Sequence, residues 1–202
     1  MQPGKVVTLL AFGDGGYHYD HLERKVYDKV VTEEQFLAKE RKDWVEERRP
    51  PAEFDHPPMY KLPGNGSVIA ATGQMPVASA IKPSSGHRGC DFTVILGDNI
   101  YPDGAMANAD DARRFRDLFT IPYGALVEGR ENFRIYGVLG NHDWHTSRAG
   151  AMAQVRFLET TTPFFMNGLF YRVVPAAGQS EVEIFGLDTQ VLLAGTTVHE
   201  AV

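Results

Sequence analysis

The chain has 202 residues, of which 43% are hydrophobic and 23% are charged, and its net charge is −6. This composition is typical of a globular protein with one sizeable core, so a single domain over residues 1–202 is predicted. A negative net charge provides no basic face for nucleic acid, so we expect no nucleic-acid partner. No apolar stretch reaches the ~20 residues that a membrane helix needs, so we expect no membrane association.

Two further features concern the cellular compartment. The single cysteine, Cys90, excludes an internal disulfide, and with it the framework of a small secreted protein. No signal peptide with a distinct apolar region is evident at the N-terminus, which favours a cytoplasmic location by default. The sequence leaves the oligomeric state open.

Apolar runs and helical periodicity predict the elements of the core. In chain order they are a strand over residues 6–12, a helix over 72–81, a loop over 83–89, a strand over 92–96, a helix over 109–119, a strand over 133–139, and paired strands over 169–174 and 181–187. Because helices alternate with strands, the α/β class with βαβ units is predicted.

The region over residues 17–63 differs from the rest and is predicted to be an insertion within the domain. Thr32 and Gln35 have the spacing of a capping box, which predicts the start of a charged helix. The following stretch, residues 50–66, is rich in proline and glycine and is predicted to be a loop.

Each of the three apolar strands ends in glycine followed at once by a residue with an oxygen donor. These residues are Asp14, Asp98 and Asn141. The carboxyl ends of parallel strands share one edge of a sheet, where open α/β sheets bind ligands. Gly-Asp and Gly-Asn are also common turn pairs, but three of them in the same position favour a shared site. Such oxygen donors suit hard cations, and Tyr101 adds a phenolate.

Three short motifs carry a resemblance to a known family. Gly-Asp-Gly-Gly at 13–16, Gly-Asp-Asn-Ile-Tyr at 97–101 and Gly-Asn-His-Asp at 140–143 resemble the first three signature blocks of the calcineurin-like metallophosphoesterases. The placement of Tyr101 resembles the purple acid phosphatase branch, which includes tartrate-resistant acid phosphatase. Residues 164–189 resemble the later strands of the family.

The resemblance implies both a fold and an activity. The fold would be a metallophosphoesterase-type β-sandwich with flanking helices, of which this chain is the N-terminal part without the C-terminal portion. The activity would be hydrolysis of phosphate esters by a dinuclear metal centre with a metal-bound hydroxide as nucleophile. The substrate would be a phosphorylated small molecule or another phosphoester, and a secreted or periplasmic location is common in the family.

The resemblance also implies a role for each matching residue. Asp14 would bind a ferric ion, and Tyr101 would bind the same ion as phenolate. Asp98 would bridge both metal ions, and Asn141 would bind the second ion. The pair would be Fe3+ with Fe2+, Zn2+ or Mn2+. His142 would lie beside the substrate phosphate, where it would stabilise the developing charge or protonate the leaving alkoxide.

The family also uses a fourth block with one histidine and a fifth with Gly-His-x-His. The chain contains no Gly-His-x-His, and His199 is the one histidine after Asp188. We therefore expect a fragment of a longer enzyme. The alternative is a truncated, metal-poor module that acts by binding a partner without catalysis.

Several residues near the motifs have two interpretations. His18 and His21 could approach the substrate or lie on the surface of the insertion. His145 could support the site or lie in a plain loop. Trp144 could line the substrate opening, and Asp143 could cap a turn or accept hydrogen bonds behind the ligands.

Overall fold

The computed structural model describes residues 6–15, 31–56, 59–61, 66–70, 74–176 and 182–193. The strands are β1 (Leu9–Phe12), β2 (Met59–Lys61), β3 (Val68–Ala70), β4 (Phe92–Ile95), β5 (Ile135–Gly137), β6 (Phe164–Phe165), β7 (Phe170–Val173) and β8 (Ile184–Leu187). The α-helices are α1 (Glu33–Glu46), α2 (Gln74–Arg88), α3 (Asp111–Phe115), α4 (Ile121–Tyr123), α5 (Arg148–Thr160) and α6 (Thr189–Leu193). Short 3-10 turns occur at Pro51–Glu53, Gly124–Val127 and His142–Trp144, and a π-helical turn occurs at Arg116–Thr120.

The contacts divide the chain into two compact units. The first unit contains Met1–Tyr17 and Ala78–Val202, and the second contains His18–Val77. The predicted insertion over 17–63 overlaps the second unit, and its residues 17–30 lie outside the described part of the chain. No helix among the described residues is long and apolar enough to cross a membrane.

The first unit contains a four-stranded parallel sheet in the order β1-β4-β5-β6. Phe12 lies beside Ile95, and Ile95 lies beside Gly137, so the carboxyl ends of the first three strands are level. Helices flank this sheet, which confirms the predicted α/β class. The fourth strand, β6, was not predicted, because it has only two residues and carries no alternation of its own.

Aromatic and aliphatic side chains from the helices fill the core of the first unit. Leu118 and Leu158 are fully buried. The ring of Phe157 on α5 stacks on Phe115 at 4.6 Å, and Phe119 meets Phe164 edge to face at 5.7 Å. Burying one such side chain contributes about 1.5–3 kcal/mol, so this cluster holds the helices on the sheet.

Strands β7 and β8 form an antiparallel pair, as the sequence predicts. The Tyr171 hydroxyl donates to the Gly137 carbonyl oxygen at 2.9 Å, and the Tyr171 ring meets Phe165 at 5.6 Å. A Cβ at Gly186 would lie 2.1 Å from the Tyr171 ring, so glycine is required at that position. The pair is thereby anchored to the end of β5.

One prediction about the helices was wrong, one was right apart from its start and its geometry, and one helix was missed. The predicted loop over 83–89 belongs to α2, which continues through Pro83 to Arg88, because one proline removes one hydrogen bond without ending the helix. The predicted helix over 109–119 starts at Asp111 and changes to π-helical geometry at Arg116. Helix α5 was missed, although Ala151, Val155 and Leu158 give it a buried stripe.

The second unit is built from α1 and the antiparallel strands β2 and β3. The capping box is confirmed, since the Gln35 backbone N–H donates to Thr32 Oγ1 at 3.2 Å and the Thr32 N–H donates to Gln35 Oε1 at 3.1 Å. The predicted loop over 50–66 was wrong at β2, where Met59–Lys61 pairs with β3. Trp44 of α1 donates its indole N–H to the Pro50 carbonyl oxygen at 2.9 Å.

Candidate metal centre

The three predicted ligand loops meet at the carboxyl edge of the parallel sheet. The Leu96 N–H donates to the Phe12 carbonyl oxygen at 2.8 Å, and the Asp14 N–H donates to the Gly97 carbonyl oxygen at 3.2 Å. The Val138 N–H donates to the carbonyl oxygen of Ile95, at the end of β4, at 3.2 Å. The sheet therefore continues as backbone hydrogen bonds into the loops that carry the candidate ligands.

Two glycines allow these loops to approach each other. A Cβ at Gly97 would lie 2.7 Å from the Gly140 nitrogen, and a Cβ at Gly140 would lie 2.2 Å from Asp98 Oδ1. Real Cβ atoms do not approach other atoms so closely, and at Gly140 the neighbour is the candidate ligand itself. Glycine before Asp98 and before Asn141 therefore gives these two loops room to converge.

Asp14 and Asp98 both adopt left-handed backbone conformations, with φ of 56° and 51°. This region costs a residue with a side chain about 1–2 kcal/mol, although aspartate tolerates it better than most. Backbone strain of this kind clusters at functional sites, where the surrounding structure maintains it. Asp14 and Asp98 are two of the four non-glycine residues with positive φ in the described part of the chain, and both are predicted metal ligands.

Tyr101 connects the two aspartates. Its hydroxyl lies 2.5 Å from Asp14 Oδ1 and 2.8 Å from Asp98 Oδ2. Burial, together with the hydrogen bonds to both carboxylates, raises the pKa of the Tyr101 phenol above its ordinary value. Without a metal ion the phenol therefore keeps its proton between the two carboxylates. The oxygens of Asp14, Asp98 and Tyr101, from the loops after β1 and β4, thus lie close together.

Asp98 uses its two oxygens on different sides. Oδ2 faces Tyr101, whereas Oδ1 accepts the backbone N–H of His142 at 3.0 Å. This carboxylate therefore contacts both its own loop and the loop after β5. A carboxylate that presents its two oxygens in different directions has the arrangement needed to bridge two ions.

The imidazole of His142 packs against the phenol, with 4.3 Å between the centroids of the His142 and Tyr101 rings. Its Nδ1 lies 2.7 Å from the Pro102 carbonyl oxygen. A carbonyl oxygen can only accept, so the proton is assigned to Nδ1, and Nε2 is the nitrogen that can exchange a proton. The His145 ring lies 4.5 Å from His142, and its Nδ1 is 3.8 Å from an oxygen of Asp103.

Asp143 is fully buried beneath the loops. Its carboxylate accepts backbone N–H groups from Asn99 at 3.0 Å, Ile100 at 3.0 Å and Gly140 at 2.9 Å. Burial raises the pKa of Asp143, and these backbone donors oppose the shift. Asp143 therefore ties the loop after β4 to the loop after β5, which agrees with the second of its two predicted roles.

The side chain of Asn141, also a predicted ligand, does not join the cluster of Asp14, Asp98 and Tyr101. Asn141 is exposed, and its backbone carbonyl oxygen accepts the Trp144 N–H at 3.2 Å. Its side-chain amide makes no hydrogen bond with any described residue. The structure thus brings Asp14, Asp98, Tyr101 and His142 into direct contact and places Asn141 at the head of the turn that carries His142.

The donor set fits hard cations. Two carboxylates and a phenol converge, and oxygen donors of this kind suit Fe3+ and divalent ions such as Mn2+. Among the described residues, no group of three or more His, Cys, Asp or Glu side chains is placed to hold a metal ion. The candidate centre differs from such a group because the Tyr101 phenol supplies one of its three converging donors. His18, His21 and His199 lie outside the described residues.

Sequence analysis missed several residues that support this site. Asn99 donates its side-chain amide to the Val138 carbonyl oxygen at 2.8 Å, and Asp188 accepts the Trp144 indole N–H at 2.9 Å. Asn99 directly follows a candidate ligand. Asp188 directly follows β8, whereas two residues separate Asp98 from the end of β4. The strand-then-aspartate pattern could therefore have indicated Asp188.

Comparison with models of protein families finds no match to the chain, and comparison with curated proteins finds none either.

Proposed function

We propose that this chain belongs to the purple acid phosphatase branch of the calcineurin-like metallophosphoesterases and hydrolyses phosphate esters at a two-metal centre. The observation that carries the proposal is the cluster in which the Tyr101 hydroxyl contacts the carboxylates of Asp14 and Asp98 at 2.5 and 2.8 Å. This cluster lies at the carboxyl edge of a parallel sheet, where α/β proteins bind their ligands.

In this proposal Asp14 and Tyr101 hold a ferric ion, Asn141 holds Fe2+, Zn2+ or Mn2+, and Asp98 contributes to both. When bound, the two ions supply positive charge to the phosphate group and activate water for attack at phosphorus. The protein is acidic, with a net charge of −6, so it needs such a local source of positive charge to bind an anionic substrate. The preformed contact between the loops after β1 and β4 holds three of the donors together before any ion binds.

His142 donates a proton to the leaving group. Its Nδ1–H donates to the Pro102 carbonyl oxygen, with 2.7 Å between the nitrogen and the oxygen. This hydrogen bond fixes the ring and leaves Nε2 to exchange a proton with the leaving group. The rings of Tyr101 and His145 enclose the imidazole on two sides, at 4.3 and 4.5 Å. An imidazole held in this way can protonate a leaving alkoxide or stabilise the charge that develops on the phosphate.

The test is turnover of a generic aryl phosphate by the chain supplied with iron and either zinc or manganese. We expect Asp98→Ala and Asn141→Ala to lose activity by roughly 100-fold or more, because removing one group that stabilises the transition state typically lowers the rate by about that factor. Asp91→Asn is the matched control, since Asp91 lies at the amino end of β4, where it accepts the Thr8 N–H at 2.8 Å. Activity that persists in Asp98→Ala would sink the proposal.

The alternative is a metal-poor module that acts by binding a partner. The small donor set favours it, since Asp98 and Asn141 are the two protein ligands that the second ion would have. Metal content separates the two functions. Two ions bound tightly per chain, together with turnover, would exclude the alternative. A chain that folds without metal and shows no turnover with any of the ions would support it.

A further inference from the structure

A buried carboxylate outside the metal centre is linked to the turn that carries His142. Asp188 follows β8 and is fully buried. Its Oδ2 accepts the indole N–H of Trp144 at 2.9 Å, and Trp144 ends the 3-10 turn that begins at His142. Among the described residues, Asp188 makes no hydrogen bond with Asp14, Asp98 or Tyr101.

Asp188 is also held by two hydrogen bonds that do not involve Trp144. Its Oδ1 accepts the Val191 N–H at 2.9 Å, and its own N–H donates to the Leu169 carbonyl oxygen at 3.0 Å. The carboxylate is therefore held at the start of α6, and the backbone of Asp188 is held at the residue before β7. Since Oδ1 already satisfies the helix start, the contact with the indole is an additional interaction that a helix cap does not require.

A buried carboxylate oxygen without a donor is costly, so the indole is held firmly in place. The Trp144 backbone in turn donates to the Asn141 carbonyl oxygen at 3.2 Å, which closes the turn around His142. The same turn is tied on its other side by Asp143, which accepts the Gly140 N–H. The backbone before and after His142 is thus held by contacts that lie outside the candidate metal centre.

We propose that Asp188 and Trp144 are positioning residues for His142. Asp188 holds the Trp144 indole, and Trp144 holds the 3-10 turn that begins at His142. This inference rests on the proposed function for its effect on turnover, but the positioning itself can be measured without turnover. Misplacing a reacting group by about 1 Å can cost roughly 100-fold in rate, so even a small shift of the turn has a measurable consequence.

Trp144→Phe is the test, and Trp44→Phe is its matched control. Each substitution removes a hydrogen bond donated by an indole N–H over 2.9 Å. Trp144 donates to the Asp188 carboxylate, and Trp44 donates to the Pro50 carbonyl oxygen. These are the two tryptophans of the chain. Two quantities are measured on the full chain: steady-state kinetics with an aryl phosphate, and the NMR signals of the histidine rings in protein labelled at histidine.

We expect Trp144→Phe to lower kcat by about 10- to 100-fold with KM changed by less than about twofold, because the turn moves while the phosphate site remains. The ring signal of His142, assigned with His142→Gln, should shift as its contacts with the Tyr101 and His145 rings change. Trp44→Phe should change neither quantity. A ring signal and a kcat in Trp144→Phe that match those of Trp44→Phe would overturn the inference.

Asp188→Asn provides a second variant if Trp144→Phe does not fold. It keeps the size of the side chain but replaces one acceptor oxygen with a donor, so the same shift of the His142 signal is expected. An unchanged signal in folded Asp188→Asn would also overturn the inference. If the wild-type chain hydrolyses no aryl phosphate but the His142 signal moves in both variants, the proposed function fails and the positioning role stands.

Discussion

The loops at the sheet edge and helix α1 of the second unit use charged groups in opposite ways. At the sheet edge the Asp143 carboxylate is buried and accepts three backbone N–H groups. On α1, Lys39 and Asp43 form an ion pair of 2.7 Å with side chains 61% and 43% exposed. Exposed pairs contribute little, whereas a buried carboxylate fixes every group that contacts it. The difference shows which charges determine geometry and which are merely solvated.

The largest expected effect comes from Asp143→Ala. It leaves the buried N–H groups of Asn99, Ile100 and Gly140 without their acceptor, so we expect a loss of about 3 kcal/mol or more in the free energy of unfolding. Urea denaturation gives the loss of stability, and calorimetric titration with Mn2+ gives the accompanying loss of metal affinity. Asp111→Ala is the control.

Asp111 is also buried, and it accepts the N–H groups of Met106 at 2.9 Å and Ala107 at 2.7 Å. Its hydrogen bonds reach Met106 and Ala107, at the far end of the loop after β4, and involve no predicted ligand, so its variant should lose stability but keep the metal affinity of the folded protein. Equal effects on metal affinity in Asp111→Ala and Asp143→Ala would show that Asp143 has no special relation to the ligand loops.

Gly140→Ala should have the next largest effect. The new Cβ would lie 2.2 Å from Asp98 Oδ1 and 2.4 Å from the Asp98 nitrogen, so the two loops must separate. We expect a cost of about 2–3 kcal/mol in unfolding free energy, measured in urea. Gly86→Ala is the control, because nothing lies within 4 Å of a Cβ at that helical position. A neutral or stabilising change is expected there, and a neutral Gly140→Ala would refute the close approach of the loops.

A smaller effect concerns pH. Burial raises the pKa of Asp188 above its usual 3.8, so the folded protein keeps this proton at a pH where the unfolded chain has released it. The resulting stability is complete below 3.8 and is lost as the pH rises through the raised pKa. The free energy of unfolding of the wild type should therefore fall with rising pH relative to that of Asp188→Asn. A rise over that window would contradict the direction of the shift.

The smallest effect is expected on α1. Lys39→Ala removes the exposed contacts with Asp43 and Glu40, so the free energy of unfolding should change by less than about 0.5 kcal/mol. Any difference should disappear when urea denaturation is repeated in concentrated salt. A loss above about 1 kcal/mol would mean that this exposed pair behaves like the buried groups of the sheet edge.

The sequence predicted the parts of the fold that rest on local patterns. Apolar runs that end at glycine located β1, β4 and β5, and the strand ends located Asp14 and Asp98, because strand direction places such residues at one edge. The extent of α2 was not predictable from local signals, since Pro83 reads as a break but the helix continues through it to Arg88. The π-helical turn at Arg116–Thr120 has no sequence signature at all.

The sequence predicted that Asp14, Asp98 and Tyr101 lie close together, but it did not predict how they contact one another. That Tyr101 lies between two carboxylates depends on the register of β1 against β4, which the sequence does not specify. The bond from Trp144 to Asp188 spans 44 residues and requires the β7–β8 pair to be in place. Contacts of this range follow from the assembled fold and are not visible in any local motif.

The central claim is that Tyr101, Asp14 and Asp98 form a metal centre. The most direct measurement is the visible absorption of the chain loaded with ferric iron, alongside Tyr101→Phe as the matched variant. The account predicts a visible band from phenolate to Fe3+ that Tyr101→Phe abolishes while the variant stays folded. Bound iron without a visible band, or a band of equal strength in Tyr101→Phe, would contradict it.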